Sequence, residues 1–151
     1  MNRRLSASIL FGALLSVLVI AACGGNGDGE GGGSLEVTFD GTDCGFRGPD
    51  TVSESNISVL IDNQAATVVT LNVLRLEEGR SFDDLASHIE GAEGPNDLPS
   101  WASSITATPA AAGEKTTFGM ALTAGSYALV CVTELPLGVQ AVAPFTVAVE
   151  N

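Results

Sequence analysis

AGSYALVCVTELPLG, running from Ala124 to Gly138, decides how this chain reads. Tyr127, Leu129 and Cys131 alternate with Ala128, Val130 and Val132, and Pro136 with Gly138 then breaks the run. Such a pattern describes a buried β-strand that delivers a cysteine to a loop, with Gly125 suiting the turn before it. A cysteine so placed has three readings: metal ligand, half of a disulfide, or inert packing.

The flanking residues extend the same pattern. Upstream, Thr116, Phe118 and Met120 alternate with Thr117, Gly119 and Ala121; downstream, Val139 to Glu150 supplies a last strand. Nearer the start, Leu35, Val37 and Phe39 alternate with Glu36, Thr38 and Asp40 up to Gly41, and Gly48-Pro49-Asp50 makes a turn. Thr51 to Ser53 then forms a short edge, Ile57, Val59 and Ile61 alternate, and Asp62-Asn63-Gln64 reads as a polar turn. ATVVTLNVLRL, residues 66–76, is a long β-branched strand with Val69, Leu71 and Val73 on one face and Thr70, Asn72 and Leu74 on the other.

One helix is predicted, over about 82–90. Ser81 followed by Asp84 resembles a capping box, Phe82, Leu85, Ala86 and Ile89 share a face, and Gly91 suits the stop. His88, the only histidine, falls about 110° from the centre of that face by helical geometry, which predicts a surface or half-buried place. Residues 92–101 are expected to be an irregular connection in which Trp101 anchors into the core. Seven or so short strands with one helical insertion indicate an all-β fold, a two-sheet Greek-key β-sandwich.

The N-terminus carries a different message. Arg3 and Arg4 precede an apolar run from Ile9 to Ala22, the layout of a secretory signal peptide. Ile20-Ala21-Ala22-Cys23 resembles the lipobox of bacterial lipoproteins. The resemblance implies cleavage before Cys23 and a diacylglycerol thioether on that residue, so residues 1–22 are expected to be a lipoprotein signal peptide. Acyl chains add about 0.8 kcal/mol per buried CH₂, and the two or three on such a cysteine hold durably. Residues 23–34 then form a lipidated cysteine and a Gly-rich tether with an r.m.s. reach of about 17–20 Å. Asn26, Asp28 and Glu30 do not make a calcium loop, since the glutamate wanted at its twelfth position falls on Val37. Residues 35–151 make one domain, and its expected place is the extracytoplasmic side of a bacterial envelope, anchored to a membrane through Cys23.

Charge narrows the partners. The chain has 6 basic and 18 acidic residues, and loss of Arg3 and Arg4 with a leader leaves a net charge of −14. A surface of that sign repels phosphate backbones, which excludes nucleic acid as a partner. A solvated acidic surface and a monomer are the expectation.

The order of a first strand, a GPD turn, a strand ending in LRLEEG, a helix starting SFDDL, a PSW connection and AGSYALVC resembles cupredoxin-like domains related to plastocyanin and azurin. The resemblance covers most of residues 35–149. In copper-bearing members a cysteine, two histidines and a methionine form the site, because copper in such centres takes a soft thiolate, two imidazoles and a weak axial group. Carried onto this sequence, only Cys131 matches. The mid-strand histidine falls at about Val69 or Thr70, the loop after Cys131 has neither histidine nor methionine, and Met120 reads as core. The resemblance therefore points to the copper-free members, with no cofactor and no metal.

Removing Cys23 from the three cysteines leaves Cys44 and Cys131, and a pair in an oxidising compartment most often becomes a disulfide. Two buried free thiols, or a redox-active pair, are the alternatives; a spacing unlike C-x-x-C disfavours the second. Catalysis finds little support. No base is available to activate a serine or cysteine, and Glu77-Glu78 and Asp83-Asp84 suit a strand end and a helix N-terminus better than acid–base work. The sequence thus reads as a binding or structural module rather than an enzyme, with a thiol/disulfide redox protein or a small-ligand carrier with its lip at Pro95 to Trp101 as alternatives.

Overall fold

The structure is a computed structural model that describes residues 33–53, 56–92, 94, 97–134 and 137–148. The leader, Cys23 and the tether up to residue 32 lie outside the described residues. Among the described residues nine strands and one helix follow in order: β1 (Ser34–Phe39), β2 (Cys44–Arg47), β3 (Thr51–Val52), β4 (Asn56–Asn63), β5 (Val69–Leu76), α1 (Phe82–Glu90), β6 (Ala102–Ala110), β7 (Lys115–Ala121), β8 (Gly125–Glu134) and β9 (Leu137–Val147). They build two sheets, one ordered β2-β1-β4-β7 and the other β3-β9-β8-β5-β6. The chain crosses between sheets after β4, returns after β6 to lay β7 beside β4, and crosses again to lay β8 beside β5. This is the Greek-key β-sandwich expected from the sequence. Most pairings are antiparallel, but β1 runs parallel to β4, and β3 parallel to β9.

Alternation explains the core. Leu35, Val37, Val59, Ile61, Val69, Leu71, Val73 and Leu129 are all fully buried between the sheets, each contributing about 1.5–3 kcal/mol in removal from water. The opposite face of the five-stranded sheet has its own cluster, where Leu74, Ala128 and Val130 meet Leu85 and Ile89 of α1. The helix is the predicted one, and its start is a capping box. Ser81 Oγ accepts from the Asp84 N–H at 3.1 Å, and an Asp84 carboxylate oxygen accepts from the Ser81 N–H at 2.9 Å.

Five readings from the sequence need correction. The strand expected over residues 66–76 begins only at Val69, since residues 64–68 turn the chain from one sheet to the other. Nine strands stand where about seven were expected; the main addition is β6, built from the small and polar residues ASSITATPA. β1 begins at Ser34, inside the expected tether, and the Gly33 carbonyl already accepts from the Ser58 N–H at 3.0 Å. Asp62 and Asn63 end β4 rather than forming a turn, because the Asn63 side chain is buried and fully bonded there. The last strand begins at Leu137, before Val139, where it pairs back onto β8.

The sandwich has two unlike ends. One holds the start of β1, the β2–β3 and β7–β8 connections, and the β5–α1–β6 passage. The other, here the loop end, gathers residues 40–43, 64–68 and 111–114 and the β8–β9 connection.

Candidate functional site

Two features organise the loop end. The first is a covalent bond between Cys44 and Cys131, 87 residues apart in sequence with Cα atoms separated by 6.6 Å. Cys131 lies on the inner face of β8, in register with Leu71 of β5 and Gln140 of β9. Cys44 opens β2 opposite Phe39. The disulfide therefore joins the two sheets, and both cysteines are buried. Gln140 completes the arrangement, its Oε1 accepting from the Cys44 N–H at 2.9 Å.

Asn63 is the second feature. Its amide nitrogen lies 2.8–3.0 Å from the carbonyls of Thr67, Ala110 and Ala111, its two protons shared among the three, and its Oδ1 accepts from the Ala65 N–H at 3.0 Å. One buried side chain thus fixes the β4–β5 and β6–β7 connections together. Gly113, at φ +71°, makes the positive-φ turn that brings residues 111–114 within reach.

A cleft of about 140 Å³ opens beside the cystine, lined by Phe39, Thr42, Cys44, Cys131, Thr133, Gly138, Val139 and Gln140. None of these residues brings an ionisable group, since both cysteines are bonded. Its lining combines hydroxyl and amide groups with an apolar floor and contains no base and no cation. The charged groups of the loop end stand outside this lining. Asp40 accepts from the Asp43 and Thr42 N–H groups, which hold its carboxyl below the ordinary carboxylate value. The Lys115 ammonium lies 2.8 Å from Asp62, which lowers the carboxyl and raises the amine from their ordinary values.

The other candidates do not converge on this end. His88 sits half-buried in the last turn of α1, with Nε2 at 2.8 Å from the Asp97 carbonyl. A carbonyl only accepts, so Nε2 carries the proton. Met120 is on β7 of the four-stranded sheet, opposite Ile57 and toward the chain-start end. Trp101 packs against the α1 cluster as expected, with the Arg80 guanidinium 5.0 Å from its ring centroid. Asp84 is engaged in the helix cap, and the Glu77 N–H bonds to the Trp101 carbonyl. Among the described residues no three His, Cys, Asp or Glu side chains gather as a metal-holding group. Sequence reasoning brought Cys44 and Cys131 together; Gln140 and Asn63 it missed. The one signal for Asn63 was a polar residue in phase with Ile57, Val59 and Ile61.

No family model matches the chain, and no curated protein does. Solved structures similar to the chain include two auracyanins. Auracyanin A, a "blue" copper protein from the green thermophilic photosynthetic bacterium Chloroflexus aurantiacus, is 16% identical, with 78% of this chain and 100% of its own covered and a TM-score of 0.45. Sodium-dithionite-reduced auracyanin from the photosynthetic bacterium Roseiflexus castenholzii is 22% identical, covering 74% and 97%, with a TM-score of 0.38. The sandwich described above stands on its own strand order and register rather than on these likenesses. Among the described residues no helix is long and apolar enough to cross a membrane.

Proposed function

We propose that this protein is a lipid-anchored envelope protein whose domain is a copper-free cupredoxin-like sandwich, serving as a binding or structural module and not as an enzyme. The observation that carries the reading is the bond from Cys131 to Cys44. The only sulfur at the position where copper members keep a thiolate is already shared with another sulfur, and a disulfide does not supply the soft anionic donor such a centre needs. The remaining donors do not fit either, since His88 is the chain's one histidine and lies on α1, and Met120 lies toward the other end of the other sheet. The lipobox-like Ile20 to Cys23 supports the anchor.

Placement supports a display role. β1 starts at the end opposite the cystine, so a tether leading from Cys23 would present the loop end outward. The test uses the full chain produced in a bacterium and purified in detergent. Adding Cu(II) is expected to give no intense blue charge-transfer band and no rise in melting temperature; an intense blue band overturns the copper-free reading. The mass of the mature N-terminus tests the anchor separately. A diacylglyceryl group on Cys23 that disappears in Cys23→Ser supports it, and an unmodified, detergent-independent protein rejects it.

A further inference from the structure

The two sheets leave four edges, and three of them are blunted. β2 is 4 residues long; β3 is 2 and covers only Thr146 and Val147 of β9, whose open remainder is interrupted by a register shift at Val142 and by Pro144. β6 is longer, but its register with β5 shifts so that Ile105 bulges out, and Pro109 interrupts its outward hydrogen bonding. These are the devices by which folded proteins avoid pairing edge to edge. β7 has none of them. It runs seven residues, KTTFGMA, pairs only with β4 among the described residues, keeps an unbroken register and contains no proline.

Hydrogen-bond parity shows which groups line its open side. The Asn63 N–H donates to the Glu114 carbonyl at 3.0 Å. Alternate residues of an antiparallel strand turn both backbone groups toward the same neighbour. Thr116, Phe118 and Met120 therefore face β4 through their backbones, and the N–H and C=O groups of Lys115, Thr117, Gly119 and Ala121 point away from the sheet. The inward side chains of Phe118 and Met120 are only partly covered at this margin. Beside them an open depression of about 330 Å³ runs along Ile57, Ser58, Gly119 and Met120.

We propose that β7 is a strand-addition edge whose occupant is the β7 of a second copy of this chain, joining two four-stranded sheets into one across a two-fold axis. Charge selects the copy. A protein of net charge −12, or −14 without its leader, is repelled by its own kind over most approaches, yet no Asp or Glu occurs between Glu114 and Glu134, and the single charge on β7, Lys115, is already paired with Asp62. The edge is also self-complementary. An antiparallel register centred on Phe118 sets Thr117 of one copy opposite Gly119 of the other and Lys115 opposite Ala121, so every outward group finds a partner. This departs from the monomer expected from the sequence.

Thr117→Pro tests the proposal because it removes only an outward N–H and leaves the β4 ladder intact. The full chain in detergent is measured by native mass spectrometry and sedimentation over a wide concentration range. The expected result is a dimer for the native chain and self-association weakened about tenfold or more by Thr117→Pro, with unchanged circular dichroism. If Thr117→Pro fails to fold, Thr117→Lys, which places a charge on each edge, is expected to weaken the dimer in the same way. A native chain that stays monomeric at all concentrations overturns the proposal. So does a dimer that neither substitution weakens, or a monomer that takes up an unrelated extended peptide at this edge.

Discussion

Cutting the Cys44–Cys131 bond should cost this domain a large part of its stability. The cross-link closes a loop spanning 87 positions, and the chain-entropy relation assigns such a loop about 4.6 kcal/mol at 25 °C. Unfolding entropy of about 2.1 cal/mol/K per residue makes 1 kcal/mol worth about 4 °C in a domain of this length. The double substitution Cys44→Ala/Cys131→Ala is therefore expected to lower the melting temperature by close to 20 °C. Urea denaturation separates the cause. Since the stabilisation acts through the unfolded chain, removing the cross-link lets that chain expand, and the m-value should rise along with the fall in midpoint. A stability loss no larger than that of an ordinary surface change, about 0.5 kcal/mol, refutes the reasoning. Two thiols titrating in the native, unreduced protein refute it as well.

Further predictions follow from single side chains. Asn63→Ala leaves three carbonyls and one N–H of the loop end without their partner and should cost about 1–3 kcal/mol per buried group left unpaired, with faster hydrogen exchange of the Ala65 N–H as the local readout. Leu85→Ala empties a fully buried position under α1 and should cost about 2–5 kcal/mol, with a change in Trp101 fluorescence as the helix loosens. Acidification should destabilise the fold in a defined direction. Asp84 is held below its ordinary value of 3.8, first by the Ser81 N–H and then by the Ser81 hydroxyl. Its contribution is present above that value and is lost as pH falls through the lower folded value, because the unfolded carboxyl takes up its proton first. Asp84→Asn should therefore make the acid branch of the stability curve shallower, as read from urea midpoints between neutral and acid pH.

Much of the fold was legible because most strands bury one face and so alternate. β1, β5 and β8 each write a core residue at every second position, and Ser81 with Asp84 announces the helix by capping chemistry rather than by hydrophobicity. β6 escaped for a physical reason. It is an edge strand whose contribution to the two clusters is limited to Ala102 and Ala110, so small and polar side chains suffice and no alternation is written. Asn63 escaped because its type matches a turn, and only tertiary partners reveal that it closes a strand. The disulfide was legible by counting cysteines once Cys23 was set aside. Gln140 was not, since its role depends on a register between β8 and β9 that shifts by one residue between Leu129 and Val130.

The cystine also changes how the domain would carry a mechanical load. Tension entering at Ser34 travels along β1 to Cys44 and passes directly through the sulfur–sulfur bond to Cys131. The chain between them, a sequence separation of 87, lies off that route, so about 290–310 Å of contour length cannot be drawn out while the bond holds. A domain hung by its first strand would yield only at its two margins, and most of the sandwich would keep its shape under a pull that stretched the rest of the chain taut.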